Sequence, residues 1–404
     1  MNILVLANKM PYPPKDGGAI ATLSLARSLR RCGCEVDLLA MNTPKHNCKV
    51  EDIPSEISSE INFYAINVDT TIKATKALCN LLFSSKPYNA ERFVNDAFAE
   101  KLKALLSEKQ YDVVQLEGLY LCPYIETIRK YSSAKIALRA HNVEHEIWKR
   151  MVENEKSLPK RLYKGIIARR MRRFEQSYIN VYDLLVPITD RDADFFSQNG
   201  NTKPVYVAQS GIEPESPLLS IDNSKADFPS FSFLGALDWQ PNIEGLEWFV
   251  LNVWNEYRKK HSGAKFRAAG RNADKEFADF LISNGVDYLG ELESVVDYYA
   301  SGMIFVVPLM SGSGMRVKIV EAMAAGKVVI TTSVGTEGIA TENGRNIFIA
   351  DSATDFITCM EKLASDKVLC DDVSAKARDF IKDNYDNDLI ATRLLYFYKE
   401  AVGR

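Results

Sequence analysis

The sequence predicts an α/β protein built on two parallel sheets, each covered on both faces by helices. Three observations lead there. Short apolar runs rich in Val, Ile and Leu alternate with segments of helical period through most of the 404 residues, the pattern of parallel strands buried on both faces. That length is long for one domain and sufficient for two, each with its own core. A stretch rich in Pro, Ser, Asn and acidic residues at 210–230 separates the runs into two sets and reads as a linker.

The first set of strand candidates is 3–7, 35–40, 61–68, 113–116, 136–140, 184–188 and 205–208. The second is 231–237, 266–269, 286–289, 304–309, 328–332 and 347–350. Each set makes one Rossmann-like sheet, so the expected domains are 1–209 and 231–380, joined by the linker at 210–230. A hinge there would set the two domains face to face across a cleft at the carboxyl ends of their strands, where open α/β sheets bind ligands. The last segment, 381–404, is expected to be a helix whose end is crowded by Tyr396, Phe397 and Tyr398.

A content of 46% hydrophobic and 25% charged residues is that of an ordinary globular protein, and a net charge of −3 argues against a general nucleic-acid binder. No apolar stretch has the length to span a bilayer, and the start lacks the basic leader and long apolar core of a secretion signal, so a cytoplasmic location is expected. The seven cysteines are scattered without a Cys-x-x-Cys pair and read as structural. His141 and His145 lie one helical turn apart around Glu144, but the zinc pattern His-Glu-x-x-His is absent, and neither a metal site nor a cofactor is expected.

The segment SGSGMRVKIVEAMAAG at 311–326 is the most informative. An apolar strand delivers the chain to a glycine-rich turn that opens a helix, so Gly312 and Gly314 let the main chain approach a ligand and the helix start offers free N–H groups. Arg316 and Lys318 can neutralise a pyrophosphate, and Glu321 is a pure acceptor suited to a vicinal diol such as ribose. A nucleotide diphosphate needs both. Many glycine turns only join strand to helix, and the functional reading rests on strand, turn, cations and carboxylate coinciding.

Three further segments follow strand candidates. MPYPPKDGG at 10–18 ends in Gly17 and Gly18, which permit a tight turn into a helix; taken alone it is as well an ordinary strand-to-helix turn. RAHNVE at 139–144 puts His141 at the carboxyl end of a strand, while Glu144 and His145 fit a plain helix surface. FLGALDWQPN at 233–242 turns at Gly235, and Arg271 follows the next strand.

The segment from 311 resembles the donor-binding signature of family 4 glycosyltransferases of the GT-B fold, whose helix carries a Glu at the place of Glu321 and continues Ala-Met-Ala-x-Gly. The resemblance implies two facing Rossmann-like domains, with the last helix crossing back to the first domain. It also implies sugar transfer from a nucleotide-diphosphate donor to an acceptor hydroxyl with retention of configuration and no bound metal. On that basis Arg316 and Lys318 stabilise the leaving diphosphate and His141 holds the transferred sugar. Gly17, Gly18, Gly235, Arg271, Gly312, Ser313, Gly314, Met315 and Glu321 bind the donor. The chain departs from the family twice: the turn at Gly235 carries no Arg or Lys, and Ser313 stands where the family often has a second Glu. Two other outcomes on the fold stay open, a sugar-nucleotide epimerase and a non-catalytic sugar-nucleotide-binding module.

Between Lys149 and Arg173 ten cations face only Glu153 and Glu155. On a helix interleaved with apolar residues, this basic face suits an anionic membrane or a lipid-linked acceptor and equally suits plain solvation. The setting the resemblance implies is polysaccharide or glycolipid assembly, with a saccharide or lipid-linked acceptor as the second partner and no nucleic acid.

Overall fold

The computed structural model describes residues 1–404 apart from Lys15, Asn154, Lys156, Gly312, Ser313 and Gly314. The chain forms two compact units, Met1–Ser210 with Asn387–Arg404, and Gly211–Asp386.

The first unit holds six strands, β1 (Asn2–Ala7), β2 (Glu35–Asn42), β3 (Asn62–Asn67), β4 (Val113–Glu117), β5 (Lys135–Ala140) and β6 (Leu184–Pro187). All are parallel, in the order β3-β2-β1-β4-β5-β6. Near-continuous burial along β1, β2 and β4 reflects apolar packing on both faces of the sheet. One face packs on the helix Asp96–Glu108 through Phe98, Leu102 and Leu105. The other packs on the helix Gly17–Arg31 and on the final helix Asn387–Ala401, which contributes Ile390, Leu394 and Tyr398 to the core.

The candidate strand at 205–208 forms only a single parallel bridge, Leu185 to Val205. Tyr206 and Ala208 donate their N–H groups to Leu185 and Pro187 of β6. Pro187 has no N–H to return to Tyr206, so the ladder is interrupted after one bridge.

The second unit repeats the plan with β7 (Asp227–Leu234), β8 (Phe266–Ala269), β9 (Asp287–Tyr288), β10 (Gly302–Val307), β11 (Val328–Thr331) and β12 (Phe348–Ile349). The order β12-β11-β10-β7-β8-β9 is the same winding as in the first unit, and all pairs are parallel. The stretch read as a linker is in fact part of this unit. Leu218 and Ile221 are buried in its core, Asn223 donates to the carbonyls of Ala325 and Gly326, and β7 begins at Asp227. Its Pro, Ser and Asp content makes short turns and caps, and the isolated apolar residues between them do the packing.

Candidate functional site

In each sheet the connections reverse direction between the first strand and the fourth, and a crevice at the carboxyl ends of such strands is where doubly wound sheets bind ligands. In the second unit that point lies between β7 and β10. Beyond β7 comes Gly235, then the helix Gln240–Phe249; beyond β10 comes the helix Val317–Ala324.

Lys318, in the first turn of the latter helix, donates Nζ to Asn242 Oδ1 and lies 4.8 Å from the centre of the Phe233 ring. Asn242 in turn donates Nδ2 to the Ala236 carbonyl at 2.8 Å. A Cβ at position 235 would stand 2.8 Å from both Lys318 Nζ and Asn242 Nδ2, so a side chain here would displace the two from the positions they take over Gly235. The loop is held as tightly from the other side, since a Cβ at Gly270 would meet the Gly235 carbonyl oxygen at 1.8 Å. The Arg271 carbonyl accepts from Leu237 N–H at 2.9 Å, so this residue fixes the loop through its backbone.

Burial pushes the Lys318 ammonium down to about 7; the positive Arg316 adds to the effect and Glu321 opposes it. Burial likewise pushes the Glu321 carboxyl up to about 7 against the pull of Lys318. Arg316 is buried and occupies the cap position of its helix, and its side chain makes no cap hydrogen bond there. Arg316, Lys318 and Glu321 are therefore brought together, and Met315 beside them is half-buried. Gly312, Ser313 and Gly314 lie outside the described residues.

The first unit places His141 one residue past β5, against Glu117 at the end of β4. Glu117 is buried, and its Oε2 receives His141 Nε2 at 2.6 Å, Thr22 Oγ1 at 3.0 Å and Arg139 Nη1 at 3.3 Å. Gln115 donates Nε2 to Oε1 and itself accepts the Tyr398 hydroxyl at 2.7 Å. Despite the burial that would raise it, Arg139 first, then His141 and Gln115, hold the Glu117 carboxyl down to about 2. A carboxylate so held orients the imidazole and keeps its Nε2 protonated. The sequence reading missed Glu117: its strand candidate stopped at Leu116, although the rule that selected His141, the carboxyl end of a sheet strand, selects Glu117 as well.

Gly17 and Gly18 open the helix Gly17–Arg31, but that helix start is already capped by its own chain. Asp16 Oδ1 accepts from Ala19 N–H at 2.9 Å and from Lys9 Nζ at 2.6 Å, and Oδ2 meets His46 Nε2 at 2.9 Å. A Cβ at Gly18 would be 3.0 Å from Lys9 Nζ, whereas one at Gly17 would meet nothing within 4 Å. Glu144 and His145 are not plain surface. Glu175 accepts from the Glu144 N–H at 2.9 Å and contacts His145, Tyr120 donates to Glu144 at 2.8 Å, and burial pushes Glu144 up to about 7.

In the basic segment Lys164 pairs with Glu155 at 2.6 Å. Arg170 donates to the carbonyls of Asn80 and Leu81 at 3.1 and 2.8 Å, capping the helix Ala74–Phe83. Those two cations are structural. Lys160, Arg161, Arg169, Arg172 and Arg173 remain exposed, and Lys156 lies outside the described residues. Leu158, Leu162 and Ile166, four residues apart along the helix Leu158–Tyr178, form an exposed apolar ridge. Among the described residues no helix is long and apolar enough to cross a membrane, and no group of three or more His, Cys, Asp or Glu side chains is placed to hold a metal ion.

Residues 229–366 match the family described as Glycosyl transferases group 1. Along 95% of the chain and 96% of its own length, an uncharacterized protein in the cps region of Klebsiella pneumoniae is 23% identical. Among solved structures, the sucrose-phosphate synthase of Thermosynechococcus elongatus superposes with a TM-score of 0.68 at 16% identity, covering 100% of both chains. Anabaena HepE in complex with UDP gives 0.65 at 14% identity, over 99% of this chain and 100% of that one. The E. coli trehalose-6-phosphate structure bound with UDP-2-fluoro glucose gives 0.64 at 14% identity, over 99% of both. The fold is that of the GT-B glycosyltransferases, two Rossmann-like units, and the match over 229–366 supports a glycosyltransferase.

Proposed function

We propose that the protein is a retaining glycosyltransferase of family 4, moving a sugar from a nucleotide-diphosphate donor to a hydroxyl of a saccharide or lipid-linked acceptor in polysaccharide or glycolipid assembly. The observation that carries the reading is the crossing of Lys318 and Asn242 over Gly235 at the switch point of the second sheet, beside Arg316 and Glu321. UDP or a UDP-sugar in two solved relatives, and the cps-region relative, support the donor class and the setting.

In this reading the bond from the sugar's anomeric carbon to the diphosphate oxygen breaks, and one to the acceptor oxygen forms on the same face. The acceptor proton passes to the leaving phosphate. Negative charge gathers on the diphosphate as it leaves, and Arg316, Lys318 and the N–H groups at the start of their helix stabilise it without a metal ion. Arg271, Met315 and Gly235 shape the donor site, to which Gly312, Ser313 and Gly314 are assigned from the sequence alone, and Glu321 takes the ribose hydroxyls. His141, oriented by Glu117, holds the transferred sugar.

The test is nucleotide release from a panel of sugar nucleotides with and without saccharide and lipid-linked acceptors. Release that depends on acceptor supports transfer. Conversion of the donor alone makes the protein an epimerase, and binding without conversion a carrier module.

The acceptor side of the reading includes an anionic membrane on the cytoplasmic face. Exposed Arg161, Arg169 and Arg173 flank the ridge of Leu158, Leu162 and Ile166, a pairing of cations and apolar side chains suited to acidic headgroups over acyl chains. Sedimentation with acidic vesicles, lost with neutral ones and reduced by salt, is the expected outcome. Equal recovery with both kinds leaves a solvated face.

A further inference from the structure

The carboxyl ends of three neighbouring strands of the first unit, β1, β2 and β3, deliver loops to a single cavity of about 370 Å³, a size within the range of small-molecule pockets, roughly 300–1,000 Å³. Its charged lining is of one sign: Lys9 from the loop after β1, Lys45 from the turn after β2, and Arg92, with His46 of the same turn beside them. No carboxylate lines it among the described residues. Asn8, Thr43, Thr70 and Thr71 add neutral donors and acceptors of the kind that meet sugar hydroxyls.

The cations are held in place by their own surroundings. Asp16 stands behind the cavity, fixing Lys9 at 2.6 Å and His46 at 2.9 Å, and so offsets one positive charge of the set. Arg92 donates Nη1 to the Thr70 carbonyl at 2.9 Å and lies 5.2 Å from the centre of the Phe93 ring, while its buried Nε has no hydrogen-bond partner among the described residues. The turn from Thr43 to His46 is closed by the His46 N–H bond to the Thr43 carbonyl at 3.1 Å, and Lys45 within it is exposed. Asp69, which accepts from Thr71, is paired with Lys73, so Lys9, Lys45 and Arg92 against Asp16 leave an excess positive charge suited to a bound anion.

We propose that this cavity binds an anionic sugar, one carrying a carboxylate or a phosphate, as part of the acceptor. This rests on the transferase reading, whose diphosphate-binding cations, Arg316 and Lys318, belong to the other unit. It assigns the first unit a preference for acidic over neutral saccharides, the carboxylate or phosphate meeting Lys9, Lys45 and Arg92 and the ring hydroxyls meeting the threonines and Asn8.

Calorimetric titration of the full-length protein with glucuronate, glucose 1-phosphate and neutral methyl glucoside tests it, with UDP titrated into the same samples. At least one of the two anions is expected to bind ten-fold or more tighter than methyl glucoside, and which one does identifies the acidic group. Lys45→Glu, an exposed position whose exchange leaves the fold in place, is expected to remove that preference and leave UDP affinity unchanged. Equal binding of all three sugars, or an anion preference that survives Lys45→Glu, overturns the proposal. Failure of the wild type to bind UDP counts against the donor site instead, and the anion preference is read independently of it.

Discussion

Glu117 ends the fourth strand of the first unit and has four side-chain donors around it, whereas Lys318 follows the fourth strand of the second and has, among the described residues, one neutral oxygen, the face of a ring and the more distant charge of Glu321. The two sheets are wound alike, so topology does not account for the contrast. What differs is how the buried charge is met. Glu117 is held far below the usual carboxylate range by partners the chain supplies, while Lys318 is pushed toward neutrality because the folded chain supplies little to offset its desolvation. A fully met charge fixes geometry. A charge left expensive is stabilised by a ligand of opposite sign, and that ligand then binds with the energy the fold withheld.

The largest effect should come from breaking the first arrangement. Glu117→Gln leaves Arg139 buried without its counter-charge, and loss of a buried partner costs about 3–5 kcal/mol. Urea unfolding at pH 7 would show it as a lower midpoint. Because the folded pKa of Glu117 lies below its ordinary value, its stabilisation is present above about 4.5 and is lost as pH falls toward 2. The acid limb of the wild-type stability profile should therefore flatten in the variant, and identical profiles would mean that the network stabilises nothing.

Lys318→Ala should do the reverse, leaving stability unchanged or raised at neutral pH, since it removes an ammonium whose folded pKa is depressed. Its cost falls on the ligand: affinity for UDP should drop about 10- to 100-fold, the equivalent of a charge-assisted contact of roughly 1.5–3 kcal/mol, with uridine affinity unchanged. A destabilised Lys318→Ala that binds UDP normally would erase the contrast between the units.

The smallest effect sharpens it. At pH 8 Lys318, with its pKa near 7, is mostly neutral, and a diphosphate raises that pKa, so binding should take up a fraction of a proton approaching one. Calorimetry in two buffers of different ionisation enthalpy measures it, and Lys318→Ala should abolish it.

Most of the sheet architecture was legible because parallel strands buried on both faces leave long Val, Ile and Leu runs. Val205 to Ala208 has such a run and fails as a strand through Pro187, a residue of its partner, which no local pattern reveals. The segment before β7 misled through composition: Leu218 and Ile221 are single apolar residues among turn formers, and only the folded unit shows that both are buried. At the candidate site Arg316, Lys318 and Glu321 were readable because a turn and one short helix bring them together in sequence. Asn242 and Gly270 were not, since their importance lies in contacts made across the sheet. The Glu117 network joins Thr22, Arg139 and Tyr398 across most of the chain, and a long-range polar cluster of this kind leaves no periodic trace.

The final helix, Asn387–Ala401, buries Ile390, Leu394 and Tyr398 in the core of the first unit. On a ribosome the chain emerges from its amino end, and domains fold as units once their residues are available. The second unit, Gly211–Asp386, is contiguous and complete before that helix appears. The first unit begins earlier but waits with the part of one sheet face beside the helix Gly17–Arg31 uncovered until Asn387–Ala401 leaves the tunnel. Synthesis thus finishes the contiguous unit first, and the unit carrying His141 gains the Tyr398 hydrogen bond to Gln115, and with it the finished setting of Glu117, only after Asn387–Ala401 has emerged.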